Sequence, residues 1–596
     1  MEDERRQLFR PSSFVQITMT AIQTETNANI ARLLPKMARE RPEQIAVVTG
    51  AGRDANGKVI YEQWTFAELD RRSDAYAWGL TGYGFQPGMR VLLLVPAGLP
   101  LIALTFALFK VGCVPILIDP AMGTQNLAVC IAECQPDAMI GVARAHLARL
   151  VFRKAFRTVR RHVTAGRWAA WGGATLDDLY DVGATITTPF PMAEKHAGDP
   201  AAIVFTTGST GVPKGVLYEY GMFNAQCRML QEFYGVQPGE IDMPAFPLFA
   251  LFNVALGVTS VIPPIDPTRP AACDPAKVVE TIHDQHVTMS FGSPAIWDKV
   301  SRYCVEHGVR LPTLRRVLMA GAPVPARIHE RFMQIIEPQA NTFTPYGATE
   351  ALPVSSISGR ELLALRAERP GPTAGTCVGR PVTGVELRII RITDDAIPAW
   401  SDDLVLPPGE VGEITVSGPA VTKEYINRPE STRLAKIQDG GRVWHRMGDL
   451  GYLDDEERVW FYGRKVQRVE TADGPLFTEP CELVFNQHPD VFRSALVGVQ
   501  TKDEGRRTKE NPAQSIRHSS SVVRPVMIIE PHADKFPRTA AERERFEAEL
   551  LALGAAHQMT ASIQTVLFHR SFPVDIRHNA KIFREKLAAW AQQELA

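Results

Sequence analysis

The sequence predicts an α/β protein with mixed, largely parallel sheets covered by helices. Apolar strand-like runs alternate with helical patterns, as in AAIVFTT (201–207), which leads through a glycine-rich loop to a helix beginning near Tyr220. At 596 residues, the chain is too long for one hydrophobic core and suggests two or three domains. From about Pro407 onward, short strands and tight turns replace this alternation, which predicts a small β-rich subdomain.

A helix is predicted over TFAELDRRSDAYAWGL, because Thr65 and Glu68 have the spacing of a capping box and helical periodicity follows. A later strand is predicted in RRVLMAGAPV (315–324), which ends in a turn of small residues. In sheets of this class, ligands bind beyond the carboxyl ends of the strands. The glycine-rich loop falls at such a strand end.

The uncharged run Val91–Phe109 is long enough to cross a membrane. Pro96, Gly98 and Pro100 interrupt it, so we interpret it as a buried strand and a helix, followed by a second strand, VPILID, after Gly112. The N-terminus also lacks the pattern of a signal peptide. We therefore expect a soluble, cytoplasmic protein with no transmembrane segment.

Composition excludes some classes of function. The formal net charge of −1 does not suggest nucleic-acid binding, for which a strongly basic face is expected. Eight cysteines in so long a chain do not indicate a disulfide framework. Cys130 and Cys134 lie one helical turn apart, but no second pair completes a zinc site, so reduced thiols are the better interpretation.

The loop FTTGSTGVPKG (205–215) combines glycines, hydroxyls and a lysine, which are the groups that can surround a polyphosphate. It is not a Walker loop. Pro213 occupies the place of the second glycine, and Gly215 replaces the hydroxyl residue that binds magnesium. A different phosphate-binding motif is therefore expected.

Four further motifs accompany this loop. TPYGATE (344–350) is predicted to be a turn in which Glu350 can hold Mg²⁺. In HRMGDLGYLD, Asp449 lies between two predicted glycine turns and can accept hydrogen bonds from ribose hydroxyls. Arg464 lies at the inferred domain junction, and Lys581 lies near the C-terminus in FPVDIRHNAKIFREKL. Each motif alone is weak, but the set in this order is specific.

Together these motifs resemble the adenylate-forming superfamily of acyl-CoA synthetases, nonribosomal-peptide adenylation domains and luciferases, over almost the whole chain. The resemblance implies ATP and Mg²⁺ as cofactors. The residues that it implies bind ATP are Thr206, Thr207, Gly208, Ser209, Thr210, Gly211, Gly321, Ala322, Pro323, Tyr346, Gly347, Asp449 and Arg464. It implies catalytic roles for Lys214, Thr349, Glu350 and Lys581, with Glu350 also the metal ligand.

The same resemblance implies an N-terminal domain over residues 1–462, which binds ATP and the acyl group. A smaller α+β domain over residues 463–596 would be mobile and would carry Lys581. Within that second domain, we interpret the polar stretch at 501–521 as a mobile surface loop.

Four longer segments resemble a narrower branch, the β-lactone synthetases of bacterial long-chain olefin biosynthesis. They are FALFNVALGVTSVIPPIDPTRPA, TPYGATEALPV, QRVETADGPLFTEPCELVFN and FPVDIRHNAKIFREKL. This resemblance implies adenylation of a 2-alkyl-3-hydroxyalkanoic acid, whose own 3-hydroxyl then closes a β-lactone. It also implies a possible assembly with the decarboxylase and reductase of that pathway.

Alternatives remain within and outside this branch. A long-chain acyl-CoA ligase and a fatty-acyl-AMP ligase are the main ones. The CoA-ligase alternative is weakened because Val466 stands at the usual hinge position and Ala250 stands where CoA ligases often have a histidine. A non-catalytic scaffold is disfavoured because Glu350 and Lys581 are both present. Residues 243–264 can line an acyl tunnel or form core, and His578 and Glu350 are both conceivable bases for lactonisation.

Overall fold

The computed structural model of the protein describes residues 27–119, 122–166, 171–206, 213–246, 249–266, 269–368, 374–500, 523–574 and 582–596. The polar stretch at 501–521, interpreted above as a mobile loop, lies outside these ranges.

Sixteen α-helices lie within the described residues. They are α1 (Leu33–Glu40), α2 (Phe66–Gly82), α3 (Leu99–Val111), α4 (Thr124–Cys134), α5 (Ala143–Val151), α6 (Leu176–Ala184), α7 (Tyr220–Tyr234), α8 (Phe249–Ala255), α9 (Pro275–Asp284), α10 (Pro294–His307), α11 (Ala326–Ile335), α12 (Gly359–Glu368), α13 (Pro429–Ala435), α14 (Thr478–Phe485), α15 (Ala540–Ala555) and α16 (Arg584–Glu594).

The same ranges contain 26 β-strands. They are β1 (Ile45–Arg53), β2 (Val59–Thr65), β3 (Arg90–Leu94), β4 (Val114–Leu117), β5 (Ala138–Gly141), β6 (Arg161–Thr164), β7 (Ala174–Thr175), β8 (Pro200–Phe205), β9 (Gly215–Glu219), β10 (Ile241–Asp242), β11 (Thr259–Ile262), β12 (Met289–Gly292), β13 (Arg316–Met319), β14 (Asn341–Ala348), β15 (Ala351–Ser358), β16 (Thr376–Pro381), β17 (Glu386–Ile390), β18 (Gly412–Ser417), β19 (Lys436–Asp439), β20 (Arg442–Leu453), β21 (Val459–Arg464), β22 (Val469–Thr471), β23 (Gly474–Leu476), β24 (Val491–Gln500), β25 (Val523–Pro531) and β26 (Val566–Phe568).

Two large sheets organise the N-terminal part of the chain. The first has 14 strands in the order β17-β18-β20-β21-β16-β15-β14-β13-β12-β10-β11-β1-β2, with β19 paired to β20. The second has seven strands in the order β7-β6-β5-β3-β4-β8-β9. Beyond β21 there are only small sheets in the described residues, the hairpin β22-β23 and the three-stranded sheet β24-β25-β26. The predicted α/β class, with a large N-terminal and a smaller C-terminal domain, is confirmed.

The largest hydrophobic cluster lies around α3 and explains the uncharged run of the sequence. Residues of α3 pack in one cluster with strands of both large sheets, including Val47 of β1 and Val91 of β3. A helix surrounded by apolar neighbours needs no polar face. The predicted strand, helix and second strand are all found, as β3, α3 and β4. No helix among the described residues has the length and apolar character required to cross a membrane.

The one charged side chain at the end of α3 is buried with its counterions. Lys110 Nζ lies 2.6 Å from Asp70 Oδ1 and 2.6 Å from Asp74 Oδ1, both on α2. A buried ammonium is tolerated only when such partners replace water. The predicted capping box of α2 is also present, since Thr65 and Glu68 exchange both hydrogen bonds.

Helices α2 and α6 approach so closely that glycine is required on both. A Cβ added at Gly79 would overlap the carbonyl oxygen of Leu179, and one added at Gly183 would overlap that of Ala75. The two backbones therefore touch without intervening side chains. This contact sets the distance between the helices, and nothing larger than glycine fits there.

We expect Gly79→Ala to lower the free energy of unfolding of this region by about 1–3 kcal/mol, because the helices must separate to admit the methyl group. Gly82→Ala on the same helix is the matched control, since a Cβ there would meet nothing within 4 Å. It is expected to raise stability by up to about 1 kcal/mol. Thermal unfolding followed by circular dichroism distinguishes the two. Equal midpoints would refute the close contact.

Candidate active site

The carboxyl ends of three neighbouring parallel strands, β12, β13 and β14, meet at one edge of the large sheet. The turn Gly321–Ala322–Pro323 follows β13, and Ala320 N there donates to Gly292 O at 3.1 Å. Gly321 has φ 95°, a left-handed conformation that glycine adopts without strain. Thr349 and Glu350 follow β14 at the same edge. Ligands of α/β sheets bind in this position.

The prediction that TPYGATE forms a turn is only partly right. Thr344 to Ala348 extend strand β14, and only Thr349 and Glu350 form the turn before β15. The extension arises because β14 pairs with β15 in an antiparallel hairpin, with Tyr346 opposite Ser355. A Cβ at Gly347 would lie 2.7 Å from Ala351 O, so the hairpin closes tightly at this glycine.

The glycine-rich loop is anchored at a second hairpin. Strands β8 and β9 are antiparallel, with Phe205 opposite Gly215. Thr206 N donates to Lys214 O at 3.0 Å, and Lys214 N donates to Thr206 Oγ1 at 3.3 Å. Thr207, Gly208, Ser209, Thr210 and Gly211 lie outside the described residues. The described anchors hold Lys214 at the base of the loop.

Lys214 and Glu350 are linked by an aromatic ring that sequence reasoning did not identify. Lys214 Nζ lies 4.8 Å from the ring centroid of Tyr425, within the range of a cation–π interaction. The Tyr425 hydroxyl donates to Glu350 Oε1 at 2.6 Å. Burial and the nearby Glu350 carboxylate raise the pKa of Tyr425, so the hydroxyl remains a donor. Tyr425 therefore orients the carboxylate and supports the lysine.

The backbone of Glu350 is fixed by Thr422. Thr422 N and Oγ1 donate to Glu350 O at 2.9 and 3.0 Å. Behind them, the buried Lys436 Nζ donates to Thr422 O at 2.5 Å and to Thr422 Oγ1 at 3.3 Å. Burial lowers the pKa of Lys436 to about 7, against an opposite effect of the Glu350 carboxylate. Thr422, Tyr425 and Lys436 together form what we call the Glu350 bracket.

Asp449 is a buried carboxylate with one free acceptor. Tyr346 Oη donates to Asp449 Oδ2 at 2.6 Å. Asp449 and Arg464 face each other across β20 and β21, with Arg464 Nη1 3.1 Å from Asp449 Oδ1. Among the described residues, Oδ1 nevertheless has no hydrogen-bond donor. Burial raises the pKa of Asp449, while Arg464 acts to lower it. A sugar hydroxyl fits the vacant acceptor.

The predicted pair of glycine turns around Asp449 is wrong. Asp449 lies inside the 12-residue strand β20. Gly448 has φ 67°, and the β20–β21 register shifts between Leu450 and Gly451. The glycines therefore accommodate an irregularity in a continuous strand pair, and this irregularity sits directly beside the carboxylate.

The structure thus brings many of the predicted residues to one region. The described members are Thr206, Lys214, Gly321, Ala322, Pro323, Tyr346, Gly347, Thr349, Glu350, Asp449 and Arg464. Lys581 lies outside the described residues. Thr349 contributes its carbonyl oxygen to a 2.6 Å hydrogen bond from the hydroxyl of Tyr218, a further residue that sequence reasoning missed.

Beside this region lies an aromatic cluster around α8. The ring of Phe249 stacks on Phe291 with centroids 4.2 Å apart, and Phe246 and Phe252 lie 5.8 and 5.9 Å from it. Ala250, on the same helix, is fully buried. Val466, at the usual hinge position of CoA ligases, is 65% exposed in the short turn Lys465–Gln467 after β21.

A phosphate-type loop ending in a supported lysine, an oriented glutamate and a buried carboxylate with a free acceptor define a nucleotide-binding enzyme. The chain belongs to the AMP-binding enzyme family, which it matches over residues 34–426. Among the described residues, no cluster of three or more histidine, cysteine or acidic side chains could hold a metal ion by itself.

Two curated relatives are similar over nearly their full length. The chain is 48% identical to the olefin beta-lactone synthetase of Xanthomonas campestris pv. campestris, covering 96% of this chain and 98% of that protein. It is 47% identical to the olefin beta-lactone synthetase of Stenotrophomonas maltophilia, covering 95% and 98%. The similarity to these two relatives therefore extends over both the large N-terminal and the smaller C-terminal part of the chain.

Solved structures establish the fold. Amide bond synthetase McbA from Marinactinospora thermotolerans superimposes with a TM-score of 0.72 at 23% identity, covering 94% of this chain and 99% of that one. O-succinylbenzoate coenzyme A synthetase (MenE) from Bacillus subtilis, in complex with ATP and magnesium ion, gives 0.68 at 21% identity, covering 93% and 98%. At these identities the likeness concerns the fold alone.

We expect Tyr425→Phe to slow adenylate formation by about ten- to a hundredfold, because a hydrogen bond to a charged group contributes about 1.5–3 kcal/mol. The ring, and with it the contact to Lys214, is retained, so ATP binding is expected to change little. Pyrophosphate release gives the rate and calorimetry gives the ATP affinity.

Tyr61→Phe is the matched control for this variant. It removes a tyrosine–carboxylate hydrogen bond, the 3.0 Å bond to Asp284 Oδ2, on the edge strand β2. Its pyrophosphate release should equal that of the wild type. A Tyr425→Phe variant with the wild-type rate would show that the hydrogen bond from Tyr425 to Glu350 does not contribute to adenylate formation.

Proposed function

We propose that the protein is an ATP-dependent β-lactone synthetase acting on long-chain 2-alkyl-3-hydroxyalkanoic acids. The observation that carries this proposal is 48% identity, over 96% of the chain, to a relative named olefin beta-lactone synthetase. The site supports it, since it presents cations, an oriented glutamate and a vacant acceptor to one nucleotide. AMP and pyrophosphate are the expected nucleotide products.

ATP is held by groups from both large sheets in this proposal. Thr206 to Gly211 and Lys214 bind the phosphates, and Gly321 to Pro323 with Tyr346 and Gly347 bind the adenine. Asp449 and Arg464 bind the ribose, and Asp449 Oδ1, which receives no hydrogen bond within the described residues, provides an acceptor for a ribose hydroxyl. Mg²⁺ fits Glu350 together with the phosphates, since it prefers oxygen ligands, and when bound it neutralises phosphate charge.

In the first step, a carboxylate oxygen of the acid attacks the α-phosphorus of ATP. A new oxygen–phosphorus bond forms, and the bond to pyrophosphate breaks. Two anions must approach each other, so the barrier is largely electrostatic. Lys214 lowers it at the phosphates, and Thr349 and Glu350 add polar groups beside them. The family resemblance assigns to Lys581 the role of a cation acting between the carboxylate and the α-phosphate.

In the second step, the 3-hydroxyl oxygen attacks the activated carbonyl carbon and AMP leaves with the electron pair. The hydroxyl proton passes to a base, for which Glu350 and His578 are the candidates. Because the hydroxyl is tethered to the carbonyl, effective concentrations of about 10⁵ M or more are attainable. Ring closure in a four-membered ring is strained, so the site must align the two groups and exclude water.

The aromatic cluster of Phe246, Phe249, Phe252 and Phe291 is the proposed site of the alkyl chains. Phe249 and Phe252 lie on α8, Phe246 precedes this helix, and Phe291 lies near the carboxyl end of β12, the strand next to β13 at the edge that carries Glu350. Pockets for apolar ligands are lined mainly by apolar and aromatic side chains. Adjacent Ala250 contributes no polar group to it.

The chain is divided into two domains in this proposal. Residues 1–462 form the ATP-binding and acyl-binding domain, and residues 463–596 form a mobile domain that carries Lys581 to the site. The enzyme acts in the cytoplasm in this proposal, and the family resemblance implies a possible assembly with a decarboxylase and a reductase of olefin biosynthesis.

We expect Lys581→Ala to bind ATP with nearly wild-type affinity but to form acyl-AMP very slowly. The lysine is far from the phosphate loop in sequence, so it acts only when the C-terminal domain closes. Lys535→Ala is the control, because it removes a half-exposed lysine of the same domain. ATP binding abolished in a folded Lys581→Ala protein would make this lysine a binding residue.

The decisive experiment is product analysis by mass spectrometry, with ATP and a 2-alkyl-3-hydroxy acid, in the presence and absence of CoA. We expect a neutral product one water lighter than the acid, formed independently of CoA. The matching acid without a 3-hydroxyl should at most give a bound adenylate. A thioester that accumulates only with CoA would contradict the proposal and identify an acyl-CoA ligase.

A further inference from the structure

Helix α5 has apolar side chains that face solvent and do not pack in the hydrophobic core. Leu147, Leu150 and Val151 are 54%, 44% and 74% exposed. Their spacing of three and four residues places them on one face of the helix. Ala145 and His146, by contrast, are buried and anchor the other face. The outward stripe has no partner among the described residues of the chain.

The segment that contains this stripe is strongly basic. Between residues 138 and 176 there are eight lysines and arginines and no acidic residue, in a chain whose net charge is −1. Arg144 on α5 is exposed, and so are Arg153, Lys154, Arg157 and Arg160 after it. None of these five forms an ion pair with another described residue.

The acids that flank this segment in the sequence are Asp137 and Asp177. Asp137 Oδ2 accepts a hydrogen bond from Arg90 N at 2.9 Å, at the amino end of β5. Neither carboxylate forms an ion pair with the five exposed basic residues, so within the described part of the chain no salt bridge neutralises their charge. We refer to Leu147, Leu150 and Val151 with the five exposed basic residues as the α5 face.

We propose that the α5 face docks the enzyme onto the surface of an anionic lipid bilayer. Exposed aliphatic side chains beside lysines and arginines are what an interfacial helix uses, the apolar groups entering the headgroup boundary and the cations attracting anionic lipid. At nine residues, about 14 Å long, α5 is too short to span a membrane and lies in the interface.

Other partners fit these residues less well. Nucleic acid would use the cations but would gain little from three exposed aliphatic side chains. The core of a protein interface is depleted of charge and enriched in aromatic residues, whereas this face has a lysine, four arginines and only aliphatic apolar groups. The inference does not depend on the reaction proposed above, since it uses no residue of the active site.

The test is sedimentation of the full-length protein with lipid vesicles. Vesicles of phosphatidylcholine are compared with vesicles in which about one third of the lipid is phosphatidylglycerol, at about 0.02 M and about 0.5 M salt. We expect binding to the anionic vesicles at low salt, and little binding to neutral vesicles or at high salt.

Two variants separate the apolar and the charged contributions. Val151→Asp should weaken binding several-fold, and Lys154→Glu/Arg157→Glu should weaken it about tenfold or more. The controls are Val182→Asp, an exposed valine of α6, and Lys36→Glu/Arg39→Glu, which changes the net charge equally on α1. The controls should bind like the wild type. All variants should keep wild-type unfolding midpoints, because the substituted side chains are exposed.

Three results would overturn the proposal. One is the absence of wild-type binding to anionic vesicles, and another is equal weakening by the test and control variants. The third is salt-sensitive association of the protein with itself or another protein, lost in the test variants, without vesicle binding. That result would make the α5 face a protein contact.

Discussion

The candidate site depends on a buried carboxylate that the protein must keep charged and oriented. Asp449 is nearly inaccessible to water, and burial alone would favour its neutral form. Arg464, opposite it in the strand pair, and the hydroxyl of Tyr346 offset that cost. Asp449 lies on β20, and its two partners lie on β14 and β21, so three different strands contribute to this contact. The register of the large sheet is therefore tied to the geometry of the site, since a slip of one residue would turn Asp449 to the other face.

A second constraint joins the two large sheets. Tyr425 forms an isolated β-bridge with Val216, and Ile426 N donates to Gly215 O at 2.8 Å, at the first residues of β9. The hydroxyl of the same tyrosine donates to Glu350, which lies in the turn between β14 and β15 of the other sheet. The lysine at the base of the phosphate-type loop and the proposed metal ligand are thus positioned by one side chain. A displacement of either sheet at this junction would move both groups relative to each other.

Site residues that stand in a recognisable sequence motif could be predicted from the sequence. The residues that contact and orient them in the folded protein could not. Asp449, Arg464 and Glu350 each stand in a short motif that is weak alone but specific as part of the set. The alternation of strands and helices predicts that ligands bind at the carboxyl ends of strands, which is where the structure places Glu350. Tyr425 lies about 75 residues from Glu350 in the sequence, and only the pairing of strands brings them together.

The burial of Lys436 could not be predicted from the sequence either. In sequence it is a lysine at the start of an ordinary strand, and most lysines are exposed. Its burial follows from the position of β19 against β20 and from the carbonyl of Thr422 that receives its ammonium. The glycines around Asp449 were predicted to be turns for a related reason. Gly448 does have a positive φ, but whether such a residue ends a strand or bends it depends on its neighbour, here β21.

The surroundings of Ala250 bear on why this chain would close a ring and not pass its acyl group to a thiol. Ala250 is fully buried in the cluster around α3 and α8, next to the stacked Phe249 and Phe291. A histidine there would place a polar ring among apolar neighbours, at a cost unless it found a hydrogen-bond partner. An alanine adds no polar group that would attract water to this apolar cluster. Exclusion of water matters more to lactonisation than to thioester formation, because the tethered hydroxyl competes with water for the same carbonyl carbon. The hydroxyl needs no second binding site, since it belongs to the bound acid itself.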